Sequence, residues 1–420
     1  MKKANILACA VAITVLLAAC VNSNSASSTG LLISASEMED LLLQAEDGEI
    51  SSQLMLARIY WQTGDENQAA YWIRRAAEQG YALAKYELGV LYLEGWGVEQ
   101  NYEQAIYWFL RSAEQSNHYA QHNLGIMYRD GQGVAQDFGQ ALYWFRLAVD
   151  QGAVESKTSL GKMYADGMGV TQSYEQAVYW YRKAAELGFA EAQNSLGVMY
   201  YVGSGVTQNY EKAAYWYRKA AYQDHAIAQH NLGMMYDGGI SMTQSFEQAV
   251  YWYRKAAEQD HARAQHYLGI MYQRGTGISQ NYEQAVYWYR RAAVQNYFPA
   301  QVSLGLAYVF GQGVMQSFEQ AEYWYKIAAV QGSFMAQRNL GIMYFGGHGV
   351  TQDFEQAEYW YRKAAEQGDD VSQRNLGIIY LEGLSGTQSY ELAAYWLQKA
   401  AEQGDVFAHM FLEDIPAQYR

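Results

Sequence analysis

The sequence predicts an all-α fold, a right-handed α/α superhelical solenoid of about ten helix hairpins with a 36-residue period. Ten of the twelve tryptophans stand 36 residues apart, from Trp72 and Trp108 through Trp360 to Trp396, and each follows a tyrosine. A second register keeps the same step: Leu-Gly recurs from Gly89 to Gly377, with a tyrosine three residues after each glycine. The chain of 420 residues is 50% apolar and holds only two prolines, so little interrupts a helical pattern. Tandem duplication of one unit accounts for all of this. Each hairpin can bury its apolar face only on the next.

The unit from Phe189 to Asp224 shows the local chemistry. Helix A is expected from about Ala190 to Tyr201, with Ala192, Leu196, Met199 and Tyr200 on one stripe. Gly197 inside it costs about 1 kcal/mol of helix propensity, which implies close approach of a neighbouring helix. Gly203-Ser204-Gly205-Val206 ends the helix through left-handed glycine. Helix B opens on an Asn, Asp or Ser cap, as at Asn209, Asn101 and Ser173, with Gln three residues on in most copies, the pattern of a capping box. Ala213, Trp216, Tyr217, Ala220 and Ala221 form its buried stripe, while Arg218 and Lys219 face out. Ser241 and Ser385 replace the second loop glycine, so those two loops are expected to differ in shape.

The first residues read differently. Lys2 and Lys3 precede an apolar run from 6 to 19 that ends in Leu17-Ala18-Ala19-Cys20. Such a run is a secretory signal, short for a membrane span. Leu-Ala-Ala-Cys resembles the bacterial lipobox, which implies a lipoprotein signal over residues 1–20, cleaved so that a lipidated Cys20 becomes the new first residue. Val21 after it resembles the sorting pattern of outer-membrane lipoproteins. The Ser/Asn-rich stretch that follows suits a flexible tether over residues 21–35. Cys9 would be lost with the signal, so no disulfide framework or Cys-rich zinc site is expected. A formal net charge of −14 argues against nucleic acid and against lying on an anionic bilayer, leaving the lipid as the membrane attachment.

The motifs A-x-x-x-L-G-x-x-Y-x-x-G-x-G-V, at Ala192 to Val206, and A-x-x-W-Y-R-K-A-A-E-x-G, at Ala177 to Gly188, resemble the Sel-1-like repeat, a relative of the tetratricopeptide repeat. The resemblance covers about nine-tenths of the chain. Residues 36–80 read as an N-terminal cap and a short first repeat, 81–404 as nine full repeats and 405–420 as a C-terminal cap helix. The short copy has Ala57 where the others have glycine. Relatives with cysteine pairs staple each hairpin. This chain lacks the pairs, so packing alone is expected to hold it. The resemblance implies a non-enzymatic adaptor of the cell envelope that binds a protein or peptide without a cofactor. Its alternative is a hydrolase of the β-lactamase or penicillin-binding kind.

Several motifs have a plain reading beside a functional one. Gly131-Gln132-Gly133 and its equivalents follow helices rather than strands, so they are turns and not phosphate loops. Ser159-x-x-Lys162 matches a β-lactamase nucleophile motif, but no S-D-N or K-T-G companion exists. The tyrosines before the tryptophans, Tyr71 to Tyr395, either stack on carbohydrate or rest on the next repeat with the hydroxyl in water; packing is the favoured reading. By analogy with tetratricopeptide grooves, ligand-facing positions lie two before, two after and five after the Leu of Leu-Gly. The first set includes His122, His230 and His266, read as surface histidines too far apart to share a metal. The other end of the groove is apolar and basic. Val302, Val309, Phe310, Arg338, Phe345 and Arg374 are therefore the candidate partner-binding residues, suited to an acidic and hydrophobic peptide.

Overall fold

The computed structural model describes residues 34–386 and 388–419. Cys20 and the signal segment lie outside the described residues, as does the tether up to residue 33. Ser34 and Ala35, expected in the tether, are instead the N-cap and first residue of a helix. Among the described residues the chain forms twenty-two α-helices, one 3-10 turn and no strand.

There are two compact units, Met1–Asn209 and Tyr210–Arg420. The first holds α1 (Ala35–Glu46), α2 (Ile50–Thr63), α3 (Glu66–Glu78), α4 (Ala82–Glu94), α5 (Tyr102–Ala113), α6 (His118–Asp130), α7 (Phe138–Asp150), α8 (Val154–Asp166), α9 (Tyr174–Glu186) and α10 (Ala190–Val202). The second holds α11 (Tyr210–Ala221), α12 (Ala226–Gly238), α13 (Phe246–Glu258), α14 (Ala262–Arg274), α15 (Tyr282–Ala293), α16 (Phe298–Phe310), α17 (Phe318–Val330), α18 (Phe334–Gly346), α19 (Phe354–Ala365), α20 (Asp370–Glu382), α21 (Tyr390–Glu402) and α22 (Val406–Glu413). From α2 onward, Leu-Gly helices (A; Leu56-Ala57 in α2) alternate with Tyr-Trp helices (B) up to α21, and each packs on its sequence neighbours within the unit. The fold is an all-α solenoid of helix hairpins.

The mid-helix glycine has a specific reason. A Cβ on Gly89 would lie 2.6 Å from the Phe109 ring, and one on Gly233 would lie 2.8 Å from Tyr253. What comes closest is therefore a side chain of the same hairpin's B helix, an aromatic ring in these copies and Leu397 beside Gly377. That ring follows the tryptophan in sequence, and Tyr253, Tyr289, Tyr325 and Tyr361 are among the largest fully buried side chains. The tryptophans are buried less evenly: Trp252 is core, whereas Trp216 is half-buried. In the first hairpin Ala57 and Ile73 occupy the two matching positions, and both join the core there.

The expected capping box is one-sided. Asn101 Oδ1 accepts from the Gln104 amide at 2.9 Å, and Ser173, Ser245 and Asn281 cap likewise. The N–H of the cap residue, however, donates to the carbonyl of the preceding A helix's tyrosine, as Asn101 does to Tyr92 at 2.8 Å. Ser241 keeps the left-handed backbone of the glycine it replaces (φ 54°), against expectation, whereas in the other loop the left-handed residue is Gly386 (φ 95°) and not Ser385.

Packing is not alone in joining hairpins. Gln301 Nε2 donates to the Ala293 carbonyl at 3.1 Å, and its Oε1 accepts from Gln331 Nε2 at 2.8 Å. The pattern repeats at Gln229, Gln265, Gln337 and Gln373 in the second unit and at Gln53 in the first. Each buried glutamine satisfies a carbonyl at the end of the helix before its own and ties the next repeat to it.

Candidate functional site

Successive A helices lie side by side. Ile270 of α14 packs against a cluster that holds Leu304 and Ala307 of α16, and Val309 of α16 packs against one that holds Leu340 and Met343 of α18. What such a stack offers a ligand depends on which register of the A helix faces solvent.

The register two before the Leu does not. Val302 is 5% exposed and belongs to the core. Arg338 Nη1 donates to Asp369 Oδ1 at 3.0 Å, and Arg374 Nη1 donates to Asp405 Oδ2 at 2.6 Å. Asp369 caps the A helix of the following repeat and Asp405 caps the terminal helix α22, and both are almost free of solvent. The two arginines expected to await a partner's carboxylates are thus already paired inside the chain. The physical reason is that this register points along the stack, into the joint between repeats.

The histidines occupy the same joints, which corrects their reading as surface residues. His230 and His266 are buried, and the His230 ring lies 5.0 Å from that of His261. His122 Nδ1 is 2.8 Å from Ser156 Oγ, and His266 Nε2 is 3.0 Å from Ser303 Oγ. His225 and His261 cap their helices through Nδ1, which accepts from Ala228 N and Ala264 N. Burial pushes the His230 imidazole down to about 3, with help from the charges of His261 and Arg263. His261 is pushed down to about 4 by burial, with Arg263 and His225 adding to it, and His266 to about 4 by burial. Among the described residues no group of three His, Cys, Asp or Glu side chains is placed to hold a metal.

The register five after the Leu is mixed. Val309 and Phe345 are half-buried, and Phe345 meets Phe354 edge-on at 5.5 Å between centroids. Gln273 Oε1 in this register accepts from the Tyr289 hydroxyl at 2.7 Å. Phe310, one residue further along, is 66% exposed. Leu306 and Ile342, two after their Leu, join it on the surface, although sequence reasoning named that register without singling out either residue. Leu306 and Phe310 are four residues apart on α16, and Ile342 is one repeat beyond Leu306. The exposed apolar strip is therefore Leu306, Phe310 and Ile342.

The B helices present the tyrosine ladder. Tyr71, Tyr143 and Tyr287 are each about half exposed, and each ring stands edge-on to its own tryptophan at about 5 Å rather than on the next repeat. In many copies a cation one turn later covers the ring, as Lys183 does Tyr179 and Arg291 does Tyr287. Ser159 and Lys162 lie on α8, and Lys162 is exposed. Neither lines the cavity of about 700 Å³ at Thr63–Asn67 or the one of about 460 Å³ between α7 and Gly169.

The Sel1 repeat family model matches ten consecutive segments, the first at residues 50–81 and the last at 370–405, which together span most of the chain. No curated protein matches. Among solved structures, a protective antigen present in uropathogenic Escherichia coli strains, displaying an SLR fold, is 41% identical. That match covers 90% of this chain and 82% of that one, with a TM-score of 0.70. A Sel1 repeat protein from Oxalobacter formigenes is 33% identical, covering 58% of this chain and 96% of that one, with a TM-score of 0.53.

Proposed function

The chain belongs to the Sel1 repeat family, whose members typically serve as protein-interaction scaffolds, and from that premise we propose that it is a non-enzymatic scaffold of the bacterial cell envelope. In this reading a lipid on Cys20 holds it to the outer membrane, on the periplasmic side, and the exposed face of its second unit's A helices receives a protein partner. The observation that carries the binding role is the strip of Leu306, Phe310 and Ile342. The shared Leu, Gly and aromatic positions already build the core of every hairpin, so stability does not require apolar residues there. Left uncovered, such a patch invites association. The anchor rests on the Leu17-Ala18-Ala19-Cys20 motif. No helix among the described residues is long and apolar enough to cross a membrane.

Two variants test the halves separately. Cys20→Ser should move the protein from the membrane to the soluble fraction, and a variant that still sediments in high salt refutes the anchor. Leu306→Ser with Phe310→Ser and Ile342→Ser should remove the main species crosslinked to the protein in cells while leaving the helical circular dichroism unchanged. Unaltered crosslinks would move the binding surface elsewhere.

A further inference from the structure

The exposed stripe of the A helices differs in chemistry between the two units. Residues five before, two after and six after the Leu share one side of each helix, because steps of seven and four return to the same face. In the first unit the charged residues of this stripe are Glu94, Asp130, Glu155, Asp166 and Glu191 with Lys162, and its strongly exposed apolar residue is Val202. In the second unit Ile227, Leu306, Phe310 and Ile342 are exposed on it, with Ile270 partly buried between α14 and α16. Its charges there are Arg263 and Arg274, both on α14, until Glu382 in α20.

Those two arginines are exposed and make no ion pair among the described residues, in contrast to Arg291, Arg338, Arg362 and Arg374. Burial raises the Asp237 carboxyl, and the Tyr253 hydrogen bond and nearby Arg274, which does not pair with it, offset this only in part. Arg263 and Arg274 are eleven residues apart on one helix, so their Cα atoms are about 16 Å apart. In a partner helix, residues i and i+11 are three turns apart, share a face and span the same distance. In an extended partner that distance takes about five residues, and an odd step sends one of the two side chains to the opposite face.

Resting on the reading that this face binds a protein, we infer that it takes an acidic amphipathic helix of the partner. That helix lies along α14 and α16. Two of its carboxylates, eleven residues apart, meet Arg263 and Arg274, and its apolar side chains at helical spacing cover Ile270, Leu306 and Phe310. The arginines set its orientation and register, since guanidinium pairs with carboxylate in a fixed fork. The acidic stripe of the first unit repels the same helix, which confines it to the second.

The test is a charge exchange on the full chain. The probe is a fluorescein-labelled, hydrocarbon-stapled helical peptide of about five turns, with Leu at i, i+4 and i+7 on one face and Glu residues eleven apart beside them. Its control has Lys for both Glu. Fluorescence anisotropy should show the Glu peptide binding the native protein, with affinity falling at least about tenfold in Arg263→Glu with Arg274→Glu and in high salt. The Lys peptide should bind that double variant better than it binds the native protein. Equal binding of both peptides, no binding of the Glu peptide, or no gain on exchange overturns the inference. Crosslinking in cells separates it from its premise. If the apolar triple variant loses the partner and the arginine variant keeps it, the scaffold reading stands and the acidic helix is wrong. If neither loses the partner, both fall.

Discussion

Exchanging Gly269 for alanine should expose how the core of a hairpin is set, because two opposing effects are known in size. Alanine stabilises a helix interior by about 1 kcal/mol relative to glycine. Its Cβ here would stand 2.6 Å from Cδ1 of Tyr289 and 3.1 Å from the Ala285 carbonyl, so the ring must retreat by about 1 Å to reach ordinary contact. Tyr289 is fully buried and hydrogen-bonded to Gln273, which leaves it little room. Overpacking of that kind costs about 1–3 kcal/mol, so the single change should be neutral to destabilising by about 2 kcal/mol. Tyr289→Ile alone should cost about 2–4 kcal/mol through lost volume and the orphaned Gln273 oxygen. Together the two recreate the Ala57 and Ile73 arrangement of the first hairpin. The overpacking term then disappears, and the pair should be less harmful than the sum of the singles by about 1–3 kcal/mol. Repeats unfold piecemeal, so the measurement is hydrogen exchange of the peptides covering α14 and α15, not one melting temperature. Additivity within about 0.5 kcal/mol, or stabilisation by Gly269→Ala alone, would refute the steric account of the glycine.

Acidification should loosen α12 to α14 before α18 and α20. His230, His261 and His266 titrate near 6.5 when unfolded but at about 3 to 4 when folded, so the unfolded chain binds more protons between those values. Stability is then complete above pH 6.5 and falls as pH drops toward 4. Amides of α12 and α14 should therefore lose exchange protection at pH 5 before those of α18 and α20, and simultaneous loss would count against this. Glu87 runs the other way, since burial raises its carboxyl to about 8. The folded chain there keeps a proton that the unfolded one releases above about 4.5, so Glu87→Gln should stabilise α4 more at pH 8 than at pH 5; an equal effect at both would count against a buried acid. Gln301→Leu strands the Ala293 carbonyl and removes the acceptor of Gln331, and should cost about 1–3 kcal/mol local to α15 to α17, read by exchange.

Much of the fold is written in sequence spacing, because a helical repeat marks its core by the period at which residues return. Leu-Gly, the paired aromatics and the caps are invariant in kind, and their structural roles follow. The face of a variable residue is harder to read. Arg338 and Arg374 looked free because their partners, Asp369 and Asp405, are 31 residues away and belong to the next repeat's cap. Leu306 and Ile342 stayed hidden for the opposite reason, since an apolar residue at helical spacing cannot be told from core until the helix has neighbours. The glutamine ladder has a signal in the recurrent Ala-Gln of helix A and Glu-Gln-Gly after helix B. Its meaning appears only when the two are set a repeat apart.

The joints also resolve a difficulty that near-identical repeats create. If most hairpins bury the same leucine, alanine and ring, the core alone does not dictate which of them follows which, and an out-of-order stack would be almost as well packed. The residues that differ between copies sit at the contacts where order matters. One joint brings Tyr86 against Tyr119, two others bring His230 against His261 and His266 against Tyr297, and the last two bring Arg338 to Asp369 and Arg374 to Asp405. Setting Asp369 or Asp405 against the wrong helix would strand a nearly solvent-free carboxylate, a loss of about 3–5 kcal/mol that no conserved contact offsets. Variation among copies therefore serves two separate ends in this chain. In the joints it fixes the order of repeats. On the outward stripe it divides an acidic face from an apolar one edged with arginine, and only that second kind of variation is available to a partner.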